Sequence, residues 1–174
     1  RSLGMRLLVE GDEMSNGGVI SIGIIQFRPP DGALSEARSQ ALSLCQNCID
    51  AGADLVVFPE LSLTRYLFDS VEDARSLSEP PDGESAQQLQ KLADLSRTHI
   101  VFGFIEDAGE HLYNSALILR PRQPPLLYRK RCLFTEDERW ASPGDLSYPL
   151  WKVKNWRCTV GICMDLNDDS FIEW

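Results

Sequence analysis

The sequence has little positive charge and few histidines. Its 174 residues include 17 Lys and Arg against 26 Asp and Glu, so the net charge at pH 7 is −9. Nucleic acids and anionic membranes attract basic surfaces, and we therefore expect neither as a partner. The two histidines do not pair with cysteine at the spacing of a zinc site. Glycine-rich phosphate-binding motifs are also missing, so we predict neither a metal nor another cofactor.

Long apolar runs are missing as well. The longest, VISIGIIQF at 19–27, suits a strand and falls far short of the roughly 20 residues that span a bilayer. Residues 1–18 have neither the apolar core nor the cleavage site of a signal peptide, and we expect them to form a disordered N-terminal extension.

The five cysteines are odd in number and widely scattered, which does not suggest a disulfide framework. Cys45 and Cys48 form C-x-x-C inside a helical pattern, where packing explains them better than redox chemistry. We expect reduced thiols, which favours a cytoplasmic location.

The order of predicted elements indicates one α/β domain. Strands at 19–27 and 54–59 alternate with helices at 34–51 and 85–97, as in βαβ units. The later strands follow one another without helices, which predicts a sheet that turns antiparallel and a layered α/β arrangement. These strands are expected at 100–105, 112–119, 126–128, 151–153 and 158–163.

Three reactive side chains follow predicted apolar strands. Glu60 follows LVVFP, Lys130 follows LLYR, and Cys163 ends CTVGIC. Strand ends are where α/β folds gather functional groups, and a carboxylate, an ammonium and a thiol suit nucleophilic hydrolysis. Each residue alone has an ordinary interpretation: a solvated Glu, a surface Lys, a core thiol.

The strings around these residues resemble a known family. FPEL at 58–61, YRK at 128–130 and GICMD at 161–165 resemble the signature segments of the carbon–nitrogen hydrolase (nitrilase) superfamily, in the same order. ISIGIIQF, YNSALIL and ERWASPGD resemble its supporting segments. The resemblance implies the N-terminal portion of a layered α-β-β-α sandwich, with an incomplete hydrolase domain at 19–174. The chain ends soon after the nucleophile, so we expect a truncated piece that is unstable, associates or is inactive.

The resemblance also implies roles for individual residues. Cys163 would attack and form a thioester, Glu60 would be the general base, and Lys130 would help to form the oxyanion site. The backbone N–H of Met164 would be a second oxyanion donor, and Glu138 resembles the second glutamate that positions substrate and water. From the chemistry of thiols, a nearby Lys130 should favour the thiolate of Cys163.

The same resemblance places Tyr66, Met164 and Asp165 at the substrate pocket. Arg65 stands where glycine is common in the family, so the pocket entrance is expected to differ. GICMDLN and TEDERWA resemble the branch of protein N-terminal amidases.

The functional prediction is a cofactor-free thiol hydrolase that cleaves a non-peptide carbon–nitrogen bond. A small-molecule amide is the favoured substrate, and a homo-oligomer is expected for the full-length protein. One alternative is a non-catalytic remnant that acts as an oligomerisation or ligand-binding piece. Another is an acyltransferase of the same superfamily, or a glutamine amidase domain that feeds ammonia to a partner.

Overall fold

The computed structural model describes residues 5–11, 18–30 and 33–172, which contain two β-sheets and flanking helices. No helix in this part of the chain is long and apolar enough to cross a membrane. The strands are β1 (Met5–Gly11), β2 (Ile22–Ile24), β3 (Leu55–Val57), β4 (His99–Ala108), β5 (His111–Leu119), β6 (Leu126–Arg129), β7 (Trp151–Val153) and β8 (Trp156–Ile162). The helices are α1 (Leu34–Asp50), α2 (Val71–Arg75), α3 (Glu84–Ser96) and α4 (Asp169–Ile172), with 3-10 turns at Asp137–Arg139 and Cys163–Asn167.

The larger sheet changes from parallel to antiparallel along its width. Its order is β2-β3-β4-β5-β6, with β2, β3 and β4 parallel and the remaining pairs antiparallel. Helices supply the connections between parallel strands, while the later strands follow one another directly. The predicted βαβ opening and antiparallel continuation are confirmed.

Helices α1 and α3 cover one face of this sheet. Ala37, Ala41 and Cys45 recur every fourth residue on α1, which places them on one buried stripe. Leu89 and Ala93 do the same on α3. Both stripes pack on alternate residues of the central strands, namely Val56, Phe58, Ile100, Phe102, Leu117 and Leu119.

The opposite face of the larger sheet packs on the three-stranded sheet, whose order is β1-β8-β7. The intervening strand residues, such as Val101, point to this side because successive strand residues face opposite ways. The core between the sheets contains Leu55, Val57, Val101, Ala116, Ile118, Trp151, Val153, Val160 and Ile162. Strand β3 is fully buried, as the apolar run at 54–59 predicts.

A further helical layer begins at α4. Val160 and Ile162 face the core between the sheets, so Gly161 faces outward from β8. A Cβ on Gly161 would lie 2.9 Å from the Phe171 ring, which shows how closely α4 packs there. The described residues therefore form the layered α/β arrangement of the predicted sandwich.

Two predictions at the N-terminus are wrong. Residues 19–27 were expected to form one buried strand, but only Ile22–Ile24 is a strand, and the Ile24 side chain is 77% exposed because β2 lies at a sheet edge. Residues 5–11 of the expected disordered extension form β1, whose backbone pairs with the edge of β8. Positions 1–4 and 12–17 of that extension lie outside the described residues.

Candidate active site

The loops after β3, β6 and β8 bring Glu60, Lys130 and Cys163 together. Lys130 Nζ lies 2.8 Å from Glu60 Oε1, and neither side chain is exposed to solvent. Cys163 follows β8 directly and lies close enough for both charges to act on its thiol. The predicted grouping of these three residues is therefore present in the structure.

Lys130 is held between two carboxylates. Its ammonium donates to Glu60 Oε1 at 2.8 Å and to Asp137 Oδ2 at 2.5 Å. Burial alone would lower the pKa of Lys130, but the charge of Glu60 and the hydrogen bonds to both carboxylates outweigh it and raise that pKa. Lys130 thus stays protonated, and two of its three N–H groups are used by these carboxylates.

Sequence reasoning missed Asp137. Glu138, predicted to position substrate and water, is exposed, whereas Asp137 is fully buried beside Lys130. The 3-10 turn that begins at Asp137 directs this side chain inward, where it also accepts the N–H of Phe134 at 3.1 Å. The sequence places three acids in a row at 136–138, and the pattern alone did not select which of them points inward. Of these three acids, Asp137 is therefore the one whose carboxylate contacts Lys130.

Cys163 occupies a strained backbone position. Its φ of 50° lies in the left-handed region, which a non-glycine residue adopts at a cost of about 1–3 kcal/mol. The turn ends β8 and starts the 3-10 helix Cys163–Asn167, so the thiol stands at the end of a rigid strand. A hydrogen bond from the backbone N–H of Met164 lowers the pKa of the Cys163 thiol, so this N–H lies beside the sulfur.

Lys130 acts on the Cys163 thiol in the predicted direction, since its charge lowers the pKa, but other effects outweigh it. Burial raises the pKa of the thiol first, and the negative charge of Glu60 raises it further. Lys130 acts in the opposite direction, but Asp137 adds a second negative charge to the group. Two carboxylates against one ammonium leave a net negative surrounding, which together with burial favours the neutral thiol over the thiolate.

Asp165 is a structural anchor, and its predicted role as a substrate contact is wrong. It is fully buried and accepts the Tyr128 hydroxyl at 2.7 Å and the Ile162 N–H at 2.8 Å through Oδ2. Its Oδ1 accepts the N–H groups of Arg131 and Cys132 at 3.0 and 2.9 Å. Four hydrogen bonds occupy the carboxylate, which ties the turn at Cys163 to the loop after Lys130.

A cavity of about 560 Å³ adjoins the site. Glu60 and Tyr66 line it, together with apolar side chains such as Phe27 and Leu61, and Arg65 belongs to the same wall. Burial and the charge of Glu60 raise the pKa of Tyr66, so its hydroxyl stays protonated, although it makes no hydrogen bond within the described residues. This volume fits a small organic ligand next to Glu60.

Met164 lies on the turn rather than deep in the core. Its side chain is partly buried, and the Asn167 amide contacts its sulfur at 3.7 Å. Its predicted contribution to substrate binding through the side chain stays a prediction. Within the described ranges, no group of three or more His, Cys, Asp or Glu residues is arranged to hold a metal ion.

The chain matches a known protein family and several characterised relatives in sequence. The family model described as carbon-nitrogen hydrolase matches residues 21–169. A nitrilase of Pyrococcus abyssi is 32% identical over 148 residues, which cover 84% of this chain and 56% of the relative. A protein N-terminal amidase of Schizosaccharomyces pombe is 29% identical over 163 residues, 87% of this chain and 57% of the relative.

A solved structure has the same fold. The crystal structure of N-terminal amidase with Asn-Glu-Ala peptide superposes with a TM-score of 0.70 at 22% identity, over 84% of this chain and 40% of that one. The chain spans about half the length of the curated relatives it matches, 56% and 57% of the two given above.

Proposed function

Because the chain belongs to the carbon–nitrogen hydrolase family, which it matches over residues 21–169, we propose that it hydrolyses a non-peptide amide through a thioester on Cys163. The observation that carries this proposal is the buried contact between Lys130 and Glu60 at 2.8 Å, with the Cys163 thiol beside both. A base, a charge stabiliser and a nucleophile meet at one point, and the base, Glu60, also lines the cavity.

The first step of the proposed reaction forms the acyl-enzyme. The sulfur of Cys163 attacks the amide carbonyl while Glu60 takes the thiol proton. Because the pKa of Cys163 lies above its usual value, the proton leaves during the attack rather than before it. Glu60 Oε2 is buried and has no hydrogen-bond partner among the described residues, so it is free to accept that proton.

The negative oxygen of the tetrahedral intermediate needs donors. Lys130 has one N–H beyond the two that bind Glu60 and Asp137, and the backbone N–H of Met164 is a second donor. One such donor contributes about 3 kcal/mol to the transition state. Asp137 keeps Lys130 charged and oriented while Glu60 changes its protonation.

The remaining steps return the enzyme to its starting state. Glu60 gives its proton to the leaving nitrogen, so the carbon–nitrogen bond breaks and ammonia or an amine departs. Water then attacks the thioester with Glu60 as base, and the carbon–sulfur bond breaks to give a carboxylic acid and the free thiol.

The test is ammonia release from a panel of amides. The panel contains short aliphatic amides and dipeptides with N-terminal asparagine or glutamine, since some relatives are protein N-terminal amidases. We expect Cys163→Ala to abolish turnover and Cys132→Ala, a matched change of another partly buried thiol, to keep it. Turnover that persists in Cys163→Ala would overturn the nucleophile assignment.

The two alternatives give different outcomes in the same assay. A non-catalytic remnant would bind amides without releasing ammonia from any of them. An acyltransferase would release ammonia but form the hydroxamate in preference to the acid when hydroxylamine is added.

A further inference from the structure

One oxygen of Glu60 receives two hydrogen bonds, and the other receives none among the described residues. We propose that Asn114 is a positioning residue that holds Oε1 of Glu60 and thereby leaves Oε2 as the oxygen that carries the proton. This inference rests on the proposed function, because it assigns different roles to the two carboxylate oxygens of the general base in that reaction.

Asn114 contacts the Glu60 carboxylate directly. Asn114 lies on β5 and is fully buried. Its Nδ2 donates to Glu60 Oε1 at 2.7 Å, and Lys130 Nζ donates to the same oxygen at 2.8 Å. Glu60 Oε2 is buried without a hydrogen-bond partner in the described structure. The two donors therefore fix the rotation of the carboxylate and separate the roles of its oxygens.

The backbone of Asn114 adds a second link. Its carbonyl oxygen accepts the N–H of Lys130 at 2.8 Å. One residue thus orients the base through its side chain and the lysine through its main chain. Asn114 pairs with Ile105 of β4, so it sits inside the larger sheet, where movement of the backbone is restricted.

The chemistry favours an amide at this position. A neutral donor stabilises the carboxylate without adding charge to a group that already holds two carboxylates and one ammonium. An oxygen with two donors is a weaker base than one with none, so the proton of Cys163 goes to Oε2. Asn114 touches neither proton nor sulfur in this account and acts through Glu60.

The first test is the pH dependence of Cys163 alkylation by iodoacetamide, read by peptide mass spectrometry. Asn114→Asp keeps the shape of the side chain but adds a negative charge beside Glu60. The midpoint, which is the pH at which Cys163 alkylation reaches half its maximum rate, should therefore rise by about one pH unit, and the alkylation rate at pH 8 should fall about tenfold. The matched control is Ser115→Ala, a change of the next residue on β5. It removes a buried hydrogen bond of 2.7 Å that Ser115 donates to Glu106. An Asn114→Asp midpoint equal to that of Ser115→Ala would overturn the proposal.

Circular dichroism shows whether Asn114→Asp folds. If it does not, Asn114→Ala takes its place: loss of the donor makes the Glu60 carboxylate more basic, so it takes up the thiol proton more readily and the midpoint should fall, while Ser115→Ala leaves it unchanged. This readout needs no substrate, so it separates failure of the inference from failure of the proposed amide hydrolysis.

The second test is a double-mutant cycle on amide turnover. Asn114→Ala should lower kcat about a hundredfold with little change in KM, because a displaced base slows the chemical step and leaves binding intact. In a Glu60→Gln background the same change should add nothing, since Asn114 acts through that carboxylate. Additive effects of the two substitutions would contradict the proposal.

Discussion

The carboxylate of Asp165 accepts a 2.7 Å hydrogen bond from the hydroxyl of Tyr128, and both residues are fully buried. The same carboxylate binds the main chain just before Cys163 and just after Lys130. Asp165 therefore links the residue before Cys163 to the residue after Lys130.

The first prediction concerns this anchor. Asp165→Ala leaves several buried donors without an acceptor, so the free energy of unfolding should fall by at least about 3 kcal/mol. Tyr128→Phe removes one bond only and should cost about 1 kcal/mol. Urea unfolding measures both, with the exposed Asp169→Ala as control. Equal stability of Asp165→Ala and Asp169→Ala would show that Asp165 is not an anchor.

The second prediction separates two neighbouring acids. Asp137→Asn should lower kcat about a hundredfold, because Lys130 loses the partner that orients it at 2.5 Å. Glu138→Gln, a change of the exposed neighbour, should leave kcat within about twofold. Steady-state kinetics on the same amide measures the difference. The reverse ranking would return the role to Glu138.

The third prediction follows from the direction in which the pKa of Cys163 is shifted. Alkylation of Cys163 should reach half its maximum rate at a higher pH than a free thiol, because burial and Glu60 raise its pKa. Lys130→Met removes the positive charge and should move the midpoint further up. Glu60→Gln removes a negative charge and should move it down. Shifts of the same sign in both variants would contradict the charge balance.

The fourth prediction concerns the loop behind Lys130. Gly144 donates to the Lys130 carbonyl at 2.8 Å, and a Cβ there would lie 2.1 Å from the Arg129 carbonyl oxygen. Gly144→Ala must therefore displace this backbone and should reduce amide turnover at least tenfold. Gly18→Ala meets no atom within 4 Å and is the control. Turnover equal in the two variants would show that the loop tolerates the shift.

The order of helices and strands and the residues at the strand ends were predictable from the sequence. The inward orientation of Asp137 and Asp165 was not. Glu60, Lys130 and Cys163 each follow a short apolar strand, and the sheet order brings these ends together. Choosing Asp137 over Glu138 depends on the direction of a 3-10 turn, which periodicity does not encode. The anchoring role of Asp165 depends largely on donors from one distant segment, at residues 128 and 131–132, with a further donor at the nearby residue 162.

The short β2 and the pairing of β1 have another cause. Residues 19–27 have the composition of a buried strand, but burial depends on what lies beside the strand, and β2 has a neighbour on one side only in the described structure. Residues 5–11 carry a weak local signal and form β1 through backbone pairing with β8. Both outcomes are set by tertiary contacts rather than by local sequence.

The central claim is that the acyl group of the substrate passes through Cys163. The most direct measurement is acid quenching during turnover of an amide, followed by peptide mass spectrometry of all five cysteines. We predict an acyl mass on the peptide that contains Cys163, lost again when the substrate is exhausted. Turnover with no acyl mass on that peptide, or with the mass on another cysteine, would contradict the account.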